Sequence, residues 1–130
     1  DASLVYVDNL VDAVILAGTR PLAAGRIHHV CDDWQVSWKR YLTDLAAFLG
    51  KAPGGNIPFR AAWGVGHVLE RVCTPLGLRP PVTRLAAHIM GRDNHVDSSR
   101  AQTELGWRTR VSYAEAMQQI GRYVNRAFFG

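Results

Sequence analysis

The chain is predicted to be α/β, rich in helix with few short strands, and three features of the sequence carry that expectation. A β-branched and aromatic run at Leu4–Val7 passes straight into helical periodicity. Trp38, Tyr41, Leu42, Leu45, Ala46 and Leu49 fall at spacings of three and four, the pattern of a helix with one apolar face. Short apolar runs then alternate with capped helical segments to the end of the chain, which from the residues alone leaves α/β and α+β both open.

In chain order, Leu4, Val5, Tyr6 and Val7 read as a strand, and Asp8 or Asn9 offers a side-chain oxygen to cap the helix that follows. Leu10, Val11, Val14 and Ile15 recur at helical spacing with Gly18 as the stop, so this face is expected to be buried against something larger. After a loop with Pro21, Arg26 to Cys31 reads as a strand ended by Asp32 and Asp33. His28 and His29 point to opposite faces of it, one buried and one exposed, and so cannot chelate one metal together. Ser37 caps the Trp38 helix and Gly50 stops it, and Lys51 to Asn56 is a turn-rich connection. Ile57-Pro58-Phe59 is extended, and Ala61 to Cys73 is helical. Gly64 and Gly66 lie within that helix. They do not make a dinucleotide fingerprint, since Leu69 holds the third glycine's place and no strand precedes them; small residues there let another backbone approach.

Thr74 to Pro81 is a proline-rich loop, and Thr83 opens a helix from Arg84 to Met90 that Gly91 ends. Asn94 to Val96 reads as a small strand. Ser99 with Gln102 has capping-box spacing for a short helix, Arg100 to Leu105, stopped by Gly106 and followed by Trp107. Ser112 with Glu115 forms a second box for a final helix striped by Ala116, Ile120, Tyr123 and Val124. The closing Phe128-Phe129 pair reads as part of a packed terminal helix, with a core plug, a dimer contact and an interfacial anchor all open.

At 130 residues, 48% hydrophobic and 20% charged, the chain has the makings of one folded domain. The net charge of +4 comes from dispersed arginine, not from the clustered basic stripe that nucleic-acid binding requires, so no nucleic-acid partner is expected. Cys31 and Cys73 are expected to be reduced, buried thiols of a cytoplasmic protein. No apolar run reaches the ~18 residues of a membrane span. His67 and His88 lack partners at zinc-ligand spacing, and no G-x-S-x-G marks a nucleophile, so no metal or catalytic residue is expected.

Several segments together carry a family resemblance. Val5-Tyr6-Val7-Asp8-Asn9-Leu10-Val11-Asp12-Ala13 resembles the V-[HY]-V-x-[DN] segment of extended short-chain dehydrogenases, in the NAD-dependent epimerase/dehydratase superfamily. Gly25 to Asp33 is similar to the family's G-x-x-[YF]-[NH]-[VI] strand, and Ile57-Pro58-Phe59 to its [IL]-P-[FLY] element. The most specific match is Val96-Asp97-Ser98-Ser99-Arg100-Ala101 with Glu104-Leu105-Gly106-Trp107, which resembles D-x-S-[KR]-A-x-x-x-L-G-[WY], a capped helix, an αL glycine and an aromatic anchor. Asn9, the Arg79-Pro80-Pro81-Val82-Thr83-Arg84 run and the apolar Trp63 to Val72 helix resemble the 3β-hydroxysteroid and sterol dehydrogenase branch.

The resemblance implies the carboxyl-terminal part of a Rossmann-type enzyme, with a last sheet-strand region at 1–50 and a substrate-binding lobe at 51–130. An amino-terminal cofactor domain is expected to precede Asp1. That missing half would bind NAD or NADP, and no cofactor is expected on this fragment alone. The family's Tyr-x-x-x-Lys pair, in which an ammonium lowers a phenol's pKa, is absent: Leu10, Leu45, Met117 and Ala127 stand four after Tyr6, Tyr41, Tyr113 and Tyr123. The fragment alone is therefore expected to be inactive. Its implied role is to bind an apolar small-molecule substrate at a hydroxyl or carbonyl. Arg84 and Arg92 are the expected contacts to substrate or to an anionic group, because sugar-nucleotide relatives carry arginines in this region; surface ion pairs are the other reading of both. Asn9 is the third candidate, and as a residue it also reads as a helix cap or a tie to a neighbouring loop. A sugar-nucleotide epimerase or dehydratase and a non-catalytic binding or dimerisation module are the alternatives. An unpaired edge at Arg26 to Cys31 would favour a homodimer, a swap or a covering helix.

Overall fold

The structure, a computed structural model, describes residues 1–52 and 54–129, the side chain of Phe129 excepted. Pro53, within the expected 51–56 turn, and Gly130 lie outside the described residues, as does the side chain of Phe129 in the closing phenylalanine pair. Five α-helices form among the described residues: α1 Val7–Thr19, α2 Trp38–Phe48, α3 Phe59–Cys73, α4 Arg84–Gly91 and α5 Tyr113–Phe129. None of these residues is in a strand, and the α/β expectation is corrected to an all-helical architecture.

The correction has a physical cause. A strand exists only through the ladder it forms with a neighbour. The segments at 2–6 and 26–36 share two backbone bonds, Ala2 N–H to Val36 O and Asp32 N–H to Leu4 O, each 2.9 Å. Two isolated bonds hold extended chain in place without making a sheet. Of the expected strands, Leu4 to Tyr6, Arg26 to Cys31 and Asn94 to Val96 are irregular, Val7 opens α1, and the edge on which a strand-paired homodimer depended is not there.

The chain divides into two compact units, Asp1–Ala52 with His95–Gly130, and Pro53–Asn94. In the first, Ala13 of α1 packs with Ala101, Leu105 and Trp107, with Leu16, Ala23 and Val30 against them. The short helical turn before Trp107 widens to π geometry over Ala101–Leu105 and closes on Gly106 at φ +69°, as the αL stop requires. Its cap differs from the expected Ser99 box. Ser99 N–H instead donates to Asp97 Oδ1 at 2.8 Å, and Gln102 N–H donates to Ser98 O at 3.1 Å.

The Ser112 box forms as expected: Ser112 N–H donates to Glu115 Oε2 at 2.9 Å and Glu115 N–H to Ser112 Oγ at 3.4 Å. Along α5, Ala116, Met117 and Gly121 are buried, while Tyr123 points out. Ser37 caps α2 by accepting from Arg40 N–H at 3.2 Å.

α1 departs most from expectation. Its N-cap is Tyr6, Asp8 and Asn9 lie inside the helix, and it runs past Gly18 to Thr19. Asn9 and Ala13 are buried, whereas Leu10, Val11, Val14 and Ile15 are 40–62% exposed.

The second unit is a helix pair. Thr83 caps α4 by accepting from Ala86 N–H at 3.0 Å, and Gly66 allows the start of α4 to approach α3. A Cβ at Gly66 would meet Arg84 N and Thr83 C at 2.9 Å, so the close approach expected of the α3 glycines belongs to this one; Gly64 has open space.

Candidate functional site

Asn9 sits at a closed junction. Its Nδ2 donates to Asp32 Oδ1 at 2.8 Å and Val111 O at 3.1 Å, and its Oδ1 accepts from Arg110 N–H at 3.1 Å and Val111 N–H at 2.9 Å. Its backbone carbonyl accepts from Trp107 Nε1 at 2.9 Å. An amide offers two donors and an acceptor with two lone pairs, and all are used within the protein. Asp32 is buried too, and burial raises its carboxyl above the usual range despite hydrogen bonds from Tyr6 N–H, Thr109 and Asn9.

Nearby, Glu104 gathers His28, Arg26 and Arg100. His28 Nε2 lies 2.9 Å from its Oε2, and the Arg26 and Arg100 nitrogens lie 2.7 and 3.2 Å from its Oε1. The hydrogen bond from His28, then those charges, lower the Glu104 carboxyl. His28 is the inward member of the histidine pair, and His29 is exposed. Cys31 and Cys73 are free thiols. No group of three or more His, Cys, Asp or Glu side chains suited to a metal occurs among the described residues.

Arg84 and Arg92 belong to the helix pair. Arg84 grips Glu70, with its backbone N–H 2.7 Å from Oε1 and its Nε 2.6 Å from Oε2, and these bonds lower the Glu70 carboxyl. The guanidinium also lies 5.9 Å from the Trp63 ring centre. Arg92 has its guanidinium 5.4 Å from the centre of Phe59. The two arginines line different depressions.

Phe59 opens α3 and organises the open surface here, because it lines two depressions at once. On one side is a groove of about 440 Å³, lined by Ile57, Phe59, Ala62, Val82, Ala86 and Met90 among others, every one of them apolar or glycine. That volume falls within the ~300–1,000 Å³ of small-molecule pockets. On the other side Arg60, Trp63, His88 and Arg92 surround a second depression, with His88 edge-on to Phe59 at 5.8 Å. Gly91 completes the arrangement, since a Cβ there would meet the Phe59 ring at 2.6 Å. An apolar slot beside a cationic and aromatic patch suits an amphipathic ligand.

Sequence reasoning reached Arg92, read Phe59 only as part of an extended element, weighed His88 only as a metal ligand, and passed over Ala86 and Met90. The available signal was the proline at 58, which fixes where α3 starts and so where Phe59 stands.

The paired glycines of α3 lie within a helix, and Gly66 is occupied by backbone packing.

No family model matches the chain, and no solved structure does. Over 121 residues, 91% of its length, the chain is 31% identical to a 4-hydroxy-2-methyl-3-oxo-4-farnesyl-3,4-dihydroquinoline-1-oxide ketoreductase of Stigmatella aurantiaca. It spans 36% of the length of that relative.

Proposed function

We propose that these residues form the substrate-binding part of an NAD(P)-dependent oxidoreductase, similar to the 3β-hydroxysteroid dehydrogenases, that acts on a carbonyl or hydroxyl of an apolar, isoprenoid-bearing small molecule. The observation that carries the reading is the groove lined by apolar residues and separated by Phe59 from the Arg92 and His88 patch. The tail lies in the groove, and the oxygen-bearing ring meets the patch, where Arg92 and His88 orient it. Similarity to a ketoreductase of a farnesylated quinoline supports the substrate class. Arg84 braces the wall through Glu70 and Trp63. Asn9 holds the first unit together through Asp32 and the 110–111 backbone.

The cofactor and its chemistry belong to a further segment of the polypeptide. The exposed face of α1, Val7, Leu10, Val11, Val14 and Ile15, is where that segment docks, because these residues make one contiguous apolar face opposite the side that carries Asn9 and Ala13 to the core.

The test is turnover by the whole polypeptide with NADH or NADPH, on a ketone with an isoprenoid tail and on the same ketone without it. The tailed ketone is expected to react with a KM at least about tenfold lower, as loss of a few buried methylenes predicts. Turnover of a nucleoside-diphosphate sugar with neither ketone reacting would contradict the reading.

A further inference from the structure

Helix α3 carries a second apolar surface, distinct from the groove. Val65, Val68 and Val72 follow one another at spacings of three and four, and Leu76 of the adjoining 3₁₀ turn continues the row. They are 51%, 59%, 54% and 66% exposed, and Leu78 beyond them is 60% exposed. We propose that this row seats the protein on an anionic lipid surface, with α3 lying along the interface.

Charge selects that occupant. Residues 53–94 hold five arginines, at 60, 71, 79, 84 and 92, against Glu70 and Asp93. Glu70 is engaged by Arg84. On the helix Arg71 flanks the row on the side of Val68, and Arg79 directly follows Leu78 in the chain. Neither has an ion-pair partner among the described residues. Apolar residues that enter a headgroup layer with arginines at their margin are the pattern of an interfacial helix. An apolar protein surface would leave those guanidiniums desolvated without acids, whereas anionic headgroups supply the counter-charge. With 15 residues, α3 is shorter than a membrane span, and no described helix is long and apolar enough to cross a membrane.

The experiment is flotation of the whole polypeptide with vesicles of phosphatidylcholine, alone or mixed with phosphatidylglycerol. The protein is expected to float with the mixed vesicles, less so as salt is raised. Binding is expected to fall at least about tenfold in Val65→Ser/Val68→Ser/Val72→Ser, and also in Arg71→Gln/Arg79→Gln. Both variants leave the groove and the Arg92 patch untouched, so ketone turnover in solution is unchanged. Vesicle binding is read without substrate, so failure of the oxidoreductase reading leaves this result intact.

No flotation with either vesicle overturns the proposal, as does unchanged flotation of both variants. A parent dimer that the serine variant converts to monomer assigns the row to a second copy and also overturns it. Should the serine variant lose its helical circular dichroism, the arginine variant decides: retained binding overturns the proposal and lost binding supports it.

Discussion

The Asn9 junction and the Phe59 groove are opposites in the same chain. At the first, a fully buried amide spends every hydrogen-bonding position on the protein, and Trp107 is fixed to the same residue's carbonyl. At the second, carbon surface stands open beside Arg92 and His88. The difference shows that the most recognisable residues of this sequence are the ones that hold it together. The surface proposed to face a ligand is built from residue types too common to form a motif.

The largest effect expected from breaking the closed region is at Trp107. Trp107→Ala should cost about 3–5 kcal/mol of unfolding free energy, read from urea denaturation, because it opens a cavity and removes the buried indole hydrogen bond to the Asn9 carbonyl.

Asn9→Asp keeps the shape and places a carboxylate against Asp32. The folded Asp32 carboxyl titrates above its unfolded value of 3.8, so its contribution is complete below that pH and is lost as pH rises through the folded value. The variant should steepen that loss, seen as a melting temperature that falls more from pH 4 to neutrality than the parent's. Parallel pH profiles would show that the two side chains do not interact.

In the open region the sharpest pair is Gly66→Ala and Gly64→Ala. The first forces a methyl into the Thr83–Arg84 backbone and should destabilise by about 1–3 kcal/mol. The second meets nothing and should stabilise by up to about 1 kcal/mol through helix propensity. Denaturant midpoints moving in the same direction would disprove the packing described for α3 and α4.

The smallest effect is at Glu104, which is depressed below 4.5 by His28 and the two arginines, so its contribution is present above that pH and lost as pH falls through the folded value. Glu104→Gln should be slightly less stable than the parent at neutrality and lose less stability on acidification, in thermal melts across pH 3 to 7.

How much of this was legible follows from which physics is local. The Ser37, Thr83 and Ser112 caps and the αL glycine at 106 are set by residues within one turn, and each forms as its sequence pattern requires. The inward His28 beside an outward His29 also follows from alternation along an extended segment. Strands at 4–7 and 26–31 were not legible correctly, because β-branched residues state a preference and only a partner's backbone makes a ladder. The face of α1 misled for a related reason. Its apolar row was read as the buried side, yet Asn9, Ala13 and Leu16 turn toward the core and the row is exposed. At the candidate site Arg92 was visible as a charge, but Ala86 and Met90 become a groove only when α4 is laid beside α3.

The central claim is that this groove holds the apolar part of the substrate, and the most direct test fills it. Ala86→Phe should raise the whole polypeptide's KM for the tailed ketone about tenfold or more while leaving kcat and the untailed ketone's KM nearly unchanged. An unchanged KM for the tailed ketone, in a variant that melts like the parent, would contradict the account.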